Sequence, residues 1–185
     1  MGSSLPSPIV QTIVAPNPGM MTGLGTNTYI VGSGPTFVID PAVDDDAYLD
    51  EVAAMAGDVV AILVTHRHPD HVGGAAALAQ RTGARIHAWG NAPAGGASVD
   101  ALNDGDVVSS ADIRLTALHT PGHARDHLCF WLEGAASLFS GDTILGTGTA
   151  VIAPPDGNMR AYMETLERLR RLDVARVYPG HGPAL

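Results

Sequence analysis

The sequence has little of several things, and each shortage excludes a class of protein. Its 185 residues contain one cysteine, Cys129, which cannot form a disulfide within the chain. The longest apolar run, residues 59–64, is far shorter than the ~20 residues that a membrane-spanning helix needs. Ten basic residues stand against nineteen acidic ones, a net charge of −9. A surface that binds phosphate backbones non-specifically is therefore not expected.

The start of the sequence also lacks a charged segment followed by an apolar one, which is the pattern of an export signal. Together with the lone cysteine, this favours a cytoplasmic location and no membrane partner. Hydrophobic residues, in contrast, make up 45% of the chain and charged residues 16%. That composition predicts a sizeable core, and the length suits one domain.

Apolar runs alternate with helical patterns along the chain. Acidic residues before Tyr48, Val52 and Met55 predict a helix that ends at Gly57. Further helices are predicted at residues 73–81 and 159–169. Strands are predicted at residues 9–14, 28–31, 36–39, 59–64, 85–88, 113–118, 127–132, 137–139 and 176–178. This order suits two sheets with helices packed outside them, an α/β layered domain.

The strongest functional signal is a cluster of metal-binding residue types after the buried strand at 59–64. Four potential ligands lie within six residues: His66, His68, Asp70 and His71. Imidazole nitrogen and carboxylate oxygen are ligands that zinc and other first-row divalent ions accept. On an extended segment His66 and His68 point the same way, and after a bend at the proline the other two could face a second ion.

Three more candidate ligands follow predicted strands, each directly after a glycine: His123, Asp142 and His181. Loops at strand ends converge on one rim of a sheet in a layered α/β fold. Because two ions need more than four protein ligands, these three residues are expected to complete the site. The Gly-rich segment with Met20 and Met21 either forms the mouth of such a site or packs against the core.

With these motifs the sequence resembles the metallo-β-lactamase-fold hydrolases along nearly all of its length. The family's His-x-His-x-Asp-His signature is present at residues 66–71. The resemblance implies a four-layer αββα sandwich of the metallo-β-lactamase type, formed as one domain by residues 1–185. It also implies two divalent metal ions as cofactors, with zinc favoured and iron or manganese as alternatives.

The resemblance also assigns roles to the candidate residues. It implies a first metal bound by His66, His68 and His123, a second bound by Asp70, His71 and His181, and a bridging carboxylate from Asp142. Asp40 matches a family position that supports the ligating histidines without touching the metal. His127, four residues after His123, could hydrogen-bond a ligand or touch the substrate, and a packed strand histidine is the alternative.

Position 142 discriminates within the family. The commonest subclass of true metallo-β-lactamases carries cysteine there, whereas Asp142 is similar to glyoxalase II-like thioesterases and to the nucleases of the fold. Segments 17–22, 25–29 and 140–146 resemble lactamase-beta-like protein 2, a subgroup that includes an endonuclease of single-stranded RNA. Members of that subgroup continue past the Pro-Gly-His-Gly motif with C-terminal helices. The resemblance therefore implies a helical extension that residues 1–185 are expected to lack.

The expected activity is that of a binuclear metal-dependent hydrolase. A metal-bridging hydroxide would attack an ester-like, thioester or phosphodiester bond, with Asp70 and Asp142 as catalytic carboxylates. The alternatives are a mononuclear iron oxidoreductase like persulfide dioxygenases, and an RNA endonuclease. A small-molecule substrate is favoured over RNA, and a homodimer would shield apolar surface. The substrate-binding residues stay unknown, although Arg67, Asn91 and Arg125 are candidates for contacting an anion.

Overall fold

The computed structural model describes residues 10–91, 96–110 and 113–185, so the predicted strand residue Ile9 lies outside the described part. Two β-sheets face each other. The first has six strands in the order β1 to β6: Val10–Val14, Asn27–Val31, Pro35–Ile39, Asp58–Leu63, Arg85–Trp89 and Val99–Leu102. The first three strands pair antiparallel, and β3 to β6 pair parallel.

The second sheet has five strands in the spatial order β11-β10-β9-β8-β7. Their bounds from β7 to β11 are Val107–Ser110, Ile113–His119, Leu128–Leu132, Ser137–Gly141 and Arg176–Pro179. Strands β10 and β11 pair parallel, whereas the other pairs are antiparallel. The helices are α1 (Asp46–Ala56), α2 (Pro69–Val72), α3 (Ala75–Thr82) and α4 (Met159–Leu169), with a 3-10 turn at Glu133–Ala135.

Alternation along the strands explains the layers. Neighbouring side chains of a strand point to opposite faces, so Ile62 of β4 packs towards α1 and α3 while Leu63 packs towards the second sheet. A third cluster, which includes Cys129 and Leu169, lies between the second sheet and α4. Three apolar layers between four layers of structure make an αββα sandwich, which confirms the predicted fold class.

The predicted helix after the acidic run is present, and local hydrogen bonds explain its ends. The carboxylate of Asp45 accepts from the backbone N–H of Tyr48, and Gly57 stops the helix with a φ of 65°. Its buried face was predicted only in part. Met55 is 40% exposed, and Leu49 is fully buried instead, because the apolar stripe follows residues 48, 49, 52 and 56.

Two strands escaped the sequence prediction, β6 and β7. Both are short and carry polar residues such as Asp100 and Ser109, so neither shows a clear apolar run. Within the described residues, no helix combines the length and the apolar character that crossing a membrane requires.

This architecture collects four strand ends at one edge. The chain leaves β4 for residues 65–72, β8 for His123, β10 for Asp142 and β11 for His181. The backbone N–H of Asn27 donates to the carbonyl of Gly180 at 2.8 Å, which joins the two sheets at this edge. The loops that carry the candidate ligands therefore meet there.

Candidate metal centre

The structure brings all seven predicted ligand residues together. Their nitrogen and oxygen atoms form three groups, each with its ligand atoms within 4.8 Å of one another: His66, His68 and His123; His66, His71 and Asp142; and Asp70, His71 and His181. The groups share members, so they form one continuous cluster. Residues far apart in the sequence therefore offer a donor set of imidazoles and carboxylates at a single place.

The first group consists of three imidazoles facing a common point. His66 Nε2 lies 3.0 Å from His68 Nδ1, which lies 2.9 Å from His123 Nε2. Three nitrogens bound to one zinc at ~2.0–2.1 Å would be roughly 3.3 Å apart. The spacing of the three nitrogens is thus close to that expected for three ligands of one divalent ion.

The group of Asp70, His71 and His181 lies on the other side of Asp142. His181 Nε2 is 3.4 Å from Asp70 Oδ2, and His71 Nε2 is 3.7 Å from the same oxygen. The Oδ1 atom of Asp142 lies 3.3 Å from His71 Nε2 and 3.4 Å from His181 Nε2. Its Oδ2 atom lies 3.5 Å from His123 Nε2, so this carboxylate turns one oxygen towards each group.

Three histidines bind protein oxygens with the ring nitrogen that faces away from the cluster. His66 Nδ1 is 3.0 Å from the Thr65 hydroxyl, His71 Nδ1 is 2.8 Å from Asp40, and His123 Nδ1 is 2.7 Å from the Val151 carbonyl. Each outer N–H can donate to an oxygen, which leaves the inner nitrogen as the atom available to a cation. This is the tautomer and orientation that a metal ligand requires.

Asp40 organises two of these contacts. Its Oδ1 accepts from the backbone N–H of Thr65 at 2.7 Å, and its Oδ2 accepts from the Thr65 hydroxyl at 2.6 Å and from His71 Nδ1. The residue is fully enclosed and adopts a φ of 52°, which is unusual for a residue with a side chain. The predicted supporting position thus lies where it fixes His71 directly and His66 through Thr65.

His127 lies behind the cluster, one residue before β9, and it is fully buried. Its Nε2 accepts from the backbone N–H of Asp142 at 3.1 Å, and its Nδ1 is 2.8 Å from the Thr120 hydroxyl. Burial, followed by the nearby His123, lowers the pKa of His127 to about 3. The ring is therefore neutral, and it holds the backbone that carries Asp142 rather than facing the cavity.

Two glycines are required by close approach. A Cβ atom at Gly180 would lie 2.5 Å from Asp142 Oδ1 and 2.8 Å from the His71 ring. Gly141 adopts a φ of 47°, and a Cβ there would meet His127 Nε2 at 2.6 Å. These positions explain why a glycine precedes Asp142 and His181.

Buried atoms without partners support a cation at this place. Neither Nε2 of His71 nor Oδ1 of Asp142 has a hydrogen-bond partner among the described residues, although both are enclosed. Buried polar atoms are nearly always paired, so a cation bound between them would explain why these two have no protein partner. The donor set and the orphaned atoms together fit a divalent metal.

The electrostatic environment differs among the candidate ligands. Burial lowers the pKa of His66 well below its usual range and lowers that of His123, which favours neutral imidazoles. Burial opposes ionisation of Asp142, but the surrounding histidines, His71 first, outweigh it and hold its pKa well below its usual range. For His71, the carboxylates of Asp142 and Asp40 outweigh burial and raise its pKa, so a proton and a cation would compete for this ring.

Sequence reasoning missed several residues that hold the site in shape. Thr65 links Asp40 to His66, and the Asn27 amide donates to the carbonyls of Pro179 and Gly182 on either side of His181. Asp156 places a carboxylate oxygen 3.7 Å from His68 Nε2. Only Thr65 carries a sequence signal, its position directly before the histidine motif.

Two of the three candidate contacts for an anion form ion pairs away from the cavity. Arg67 pairs with Asp126 at 2.8 Å, and Arg125 pairs with Asp156 at 3.0 Å. Neither these residues nor Asn91 is among those lining the cavity in front of the cluster. The two arginines are directed at neighbouring carboxylates, and all three candidates lie outside the described lining, so the structure does not support the predicted anion contacts.

A cavity of about 1120 Å³ opens in front of the cluster. Five of the candidate ligands line it: His68, Asp70, His123, Asp142 and His181. The lining also includes the exposed residues Met20, Met21 and Leu24, so the predicted alternative in which the Gly-rich loop forms the mouth of the site is confirmed. A substrate in this cavity would contact both the cluster and the loop.

Comparison with known proteins agrees with this geometry. A family model described as "Metallo-beta-lactamase superfamily" matches residues 21–181. The chain is 34% identical over 189 residues to an atrochrysone carboxyl ACP thioesterase of Aspergillus fumigatus, covering 97% of this chain and 58% of the relative. It is 33% identical over 190 residues to a beta-lactamase-like protein 2 homolog of Caenorhabditis elegans, with 97% and 63% covered.

Among solved structures, the fold is similar to that of a protein named TTHA1623, crystallised in a di-iron-bound form. The TM-score is 0.78 at 27% identity, covering 95% of this chain and 93% of that one. The chain spans only about three fifths of the length of the two curated relatives, as their covered shares of 58% and 63% show.

Proposed function

Because the chain belongs to the metallo-beta-lactamase superfamily, we propose that it is a metal-dependent hydrolase that uses two divalent cations. The observation that carries this proposal is the Asp142 carboxylate, which turns one oxygen towards each of two groups of ligand atoms. In this assignment His66, His68 and His123 would hold one cation, Asp70, His71 and His181 would hold the other, and Asp142 would serve both.

Two cations held there would polarise the electrophilic oxygen of a substrate and lower the pKa of a water towards neutrality. The chain's own groups supply the rest. Asp70 has a side chain that is 29% exposed and lines the cavity, so its carboxylate can accept a hydrogen bond from the attacking water. Asp40, Thr65 and His127 hold the ligands in place without reaching the cavity.

An ester-like or thioester bond is the favoured target. The name of the relative from Aspergillus fumigatus supports a thioester, and the similarity to the beta-lactamase-like protein 2 homolog keeps a phosphodiester as the second candidate. The di-iron form of TTHA1623 supports iron as an alternative to zinc. The mononuclear iron oxidoreductase stays an alternative, but it would use only part of this donor set.

The first test measures metal content and turnover together. Protein reconstituted with zinc or iron is assayed by elemental analysis and with a panel of thioester, lactone, β-lactam and phosphodiester substrates. We expect two equivalents of metal per chain and turnover that a chelator abolishes. One tightly bound iron together with oxygen consumption would favour the oxidoreductase instead.

Substitution of the ligands sharpens this test. His68→Ala and Asp142→Ala should each lose metal and lower kcat roughly 10²-fold or more, since each removes charge stabilisation from the reaction centre. His87→Ala is the matched control, because His87 is a partly buried histidine outside the cluster. Full activity with two bound equivalents in either ligand variant would reject the assignment.

A further inference from the structure

The cavity extends past the metal centre to a short turn formed by residues 19–24, here named the 19–24 turn. Building on the hydrolase function proposed above, we propose that this turn binds an extended, uncharged apolar chain bonded to the reacting carbonyl. The substrate class is then a hydrophobic ester or thioester and not a polyanion such as RNA. Five observations support this assignment.

The first observation is the size of the cavity. Its volume of about 1120 Å³ exceeds the ~300–1,000 Å³ typical of small-molecule sites. A bare ester or lactone group would occupy a small part of this space. The remaining space lies between the metal centre and walls that carry Val14, Leu145 and Val151.

The second observation is the exposure of apolar side chains at the mouth. Met20 is 100% exposed, Leu24 89% and Met21 64%. Single apolar residues on a surface are ordinary, but these three come from one turn and border one cavity. A bound apolar chain would remove them from water, and the flexible methionines can adapt to its shape.

The third observation is that the backbone of the turn is held firmly. Gly19 and Gly23 exchange two backbone hydrogen bonds of 3.1 and 2.8 Å. The Thr22 hydroxyl donates to the carbonyl of Asn17 at 2.6 Å, and the Asn17 amide donates to the Thr26 hydroxyl at 3.0 Å. The apolar side chains are thus presented on an ordered frame, which reduces the entropy lost on binding.

The fourth observation is that no arginine is among the described residues that line the cavity. The sequence contains no lysine, so all ten basic residues are arginines. None of them is among the residues lining the cavity, and Arg67 and Arg125 are paired with Asp126 and Asp156. Phosphates beyond the reaction centre would find no cationic partner among these described residues.

RNA also needs aromatic faces on which unpaired bases stack. Apart from the histidines of the metal centre, Tyr29 is the aromatic residue among those lining the cavity, and it is only 3% exposed. Its hydroxyl donates to the carbonyl of Pro179 at 2.6 Å, which fixes the ring in the core. The described walls therefore favour an alkyl chain over a nucleotide.

The deciding experiment measures binding and not turnover. Isothermal titration calorimetry is used to measure the binding of methyl ketones of increasing chain length to protein with a measured metal content per chain. These ketones are uncharged and cannot be hydrolysed. We expect the affinity to rise roughly fourfold for each methylene that the cavity buries. Affinity that is independent of chain length would overturn the proposal, as would displacement of a long ketone by single-stranded RNA.

Variants test whether the 19–24 turn is responsible. Met21→Gln and Leu24→Gln should flatten the dependence of affinity on chain length, because each replaces an apolar contact by a hydrated amide. Met55→Gln is the matched control, since Met55 is a 40% exposed methionine on α1 and does not line the cavity. If the dependence of affinity on chain length is unchanged in both turn variants, the 19–24 turn does not bind the apolar chain and the proposal is wrong.

The two proposals can fail separately. If the ketones bind with the expected chain-length dependence but no ester is hydrolysed, the hydrolase function is wrong and the apolar site stands. If short and long esters are hydrolysed with equal kcat/KM and the ketones show no dependence, the hydrolase function stands and the apolar site is wrong.

Discussion

The metal centre and the 19–24 turn line the same cavity, yet they are built in opposite ways. At the centre, five of the seven candidate ligands are buried, and their outer atoms bind protein oxygens such as Asp40 and the Val151 carbonyl. At the turn, the backbone is tied by hydrogen bonds, while Met20 and Leu24 extend into water. Hydrogen bonds between side chains and protein oxygens fix the conformation of the first region, whereas hydrogen bonds of the main chain fix that of the second.

This difference predicts how each region responds to change. Leaving a buried polar group without its hydrogen-bond partner destabilises the fold by about 1–3 kcal/mol. Because the ligands share partners, a substitution at the centre affects several of them. An exposed apolar side chain has no partner to lose within the chain. Substitutions should therefore damage chemistry at the centre and alter only selectivity at the turn.

The largest effect is expected from one added methyl group. Gly180→Ala would place a carbon 2.5 Å from Asp142 Oδ1 and force that carboxylate away from its position between the two ligand groups. We expect loss of one metal equivalent and a fall in kcat of roughly 10²-fold or more. Elemental analysis and steady-state kinetics measure both quantities.

Gly34→Ala is the control for this variant, because a Cβ there meets nothing within 4 Å. It should keep both metal and turnover. If Gly180→Ala keeps the same metal content and kcat as Gly34→Ala, the close contact at Gly180 does not constrain Asp142, and the contrast with the turn is contradicted.

A smaller effect is expected when the support of the ligands is removed. Asp40→Ala takes away the acceptor for His71 Nδ1 and for Thr65, so the inner nitrogens lose their fixed orientation. Metal affinity should fall roughly 10–100-fold. Competition with a chromophoric chelator measures this change.

The matched comparison for this variant is Asp45→Ala. It removes another carboxylate that accepts a backbone N–H, but at the start of α1 and away from the cluster. It should destabilise the helix by about 1 kcal/mol and leave metal affinity unchanged. Equal metal affinity in Asp40→Ala and the unaltered protein would contradict the supporting role.

The smallest effect is expected at the turn. Met20→Gln should change the free energy of unfolding by no more than ~0.5 kcal/mol, because the side chain is fully exposed. Chemical denaturation of the metal-free protein measures this quantity without interference from bound ions. A loss of several kcal/mol would mean that the turn is part of the core, and the comparison would then have to be abandoned.

The candidate ligands could be predicted because their signal is local. Four of them lie within residues 66–71, and each of the others follows a glycine at the end of an apolar run. Their supports could not be predicted in the same way. The acceptor for His123 is the backbone carbonyl of Val151, and a carbonyl carries no information about residue type.

Other features could not be predicted from the sequence, and the reasons are again physical. Strand β6 pairs with β5, which is 13 residues away in the sequence at Ile86 and Val99, and β7 forms a hairpin with β8. The mixed polar sequences of β6 and β7 reveal neither pairing. The exposure of Met20 was undecided because methionine suits both a core and a binding surface. Whether such a residue packs depends on which segment passes over it, and periodicity does not specify that.

The uneven spacing of the ligands has a consequence for how the protein acquires its metal. Four candidate ligands come early, within residues 66–71, whereas His181 comes last. At a synthesis rate of ~5–20 residues per second, roughly 5–20 s separate their emergence from the ribosome. A nascent chain would thus meet the cellular metal pool as an incomplete chelator, and ions captured in that interval would exchange freely until the last strand docks.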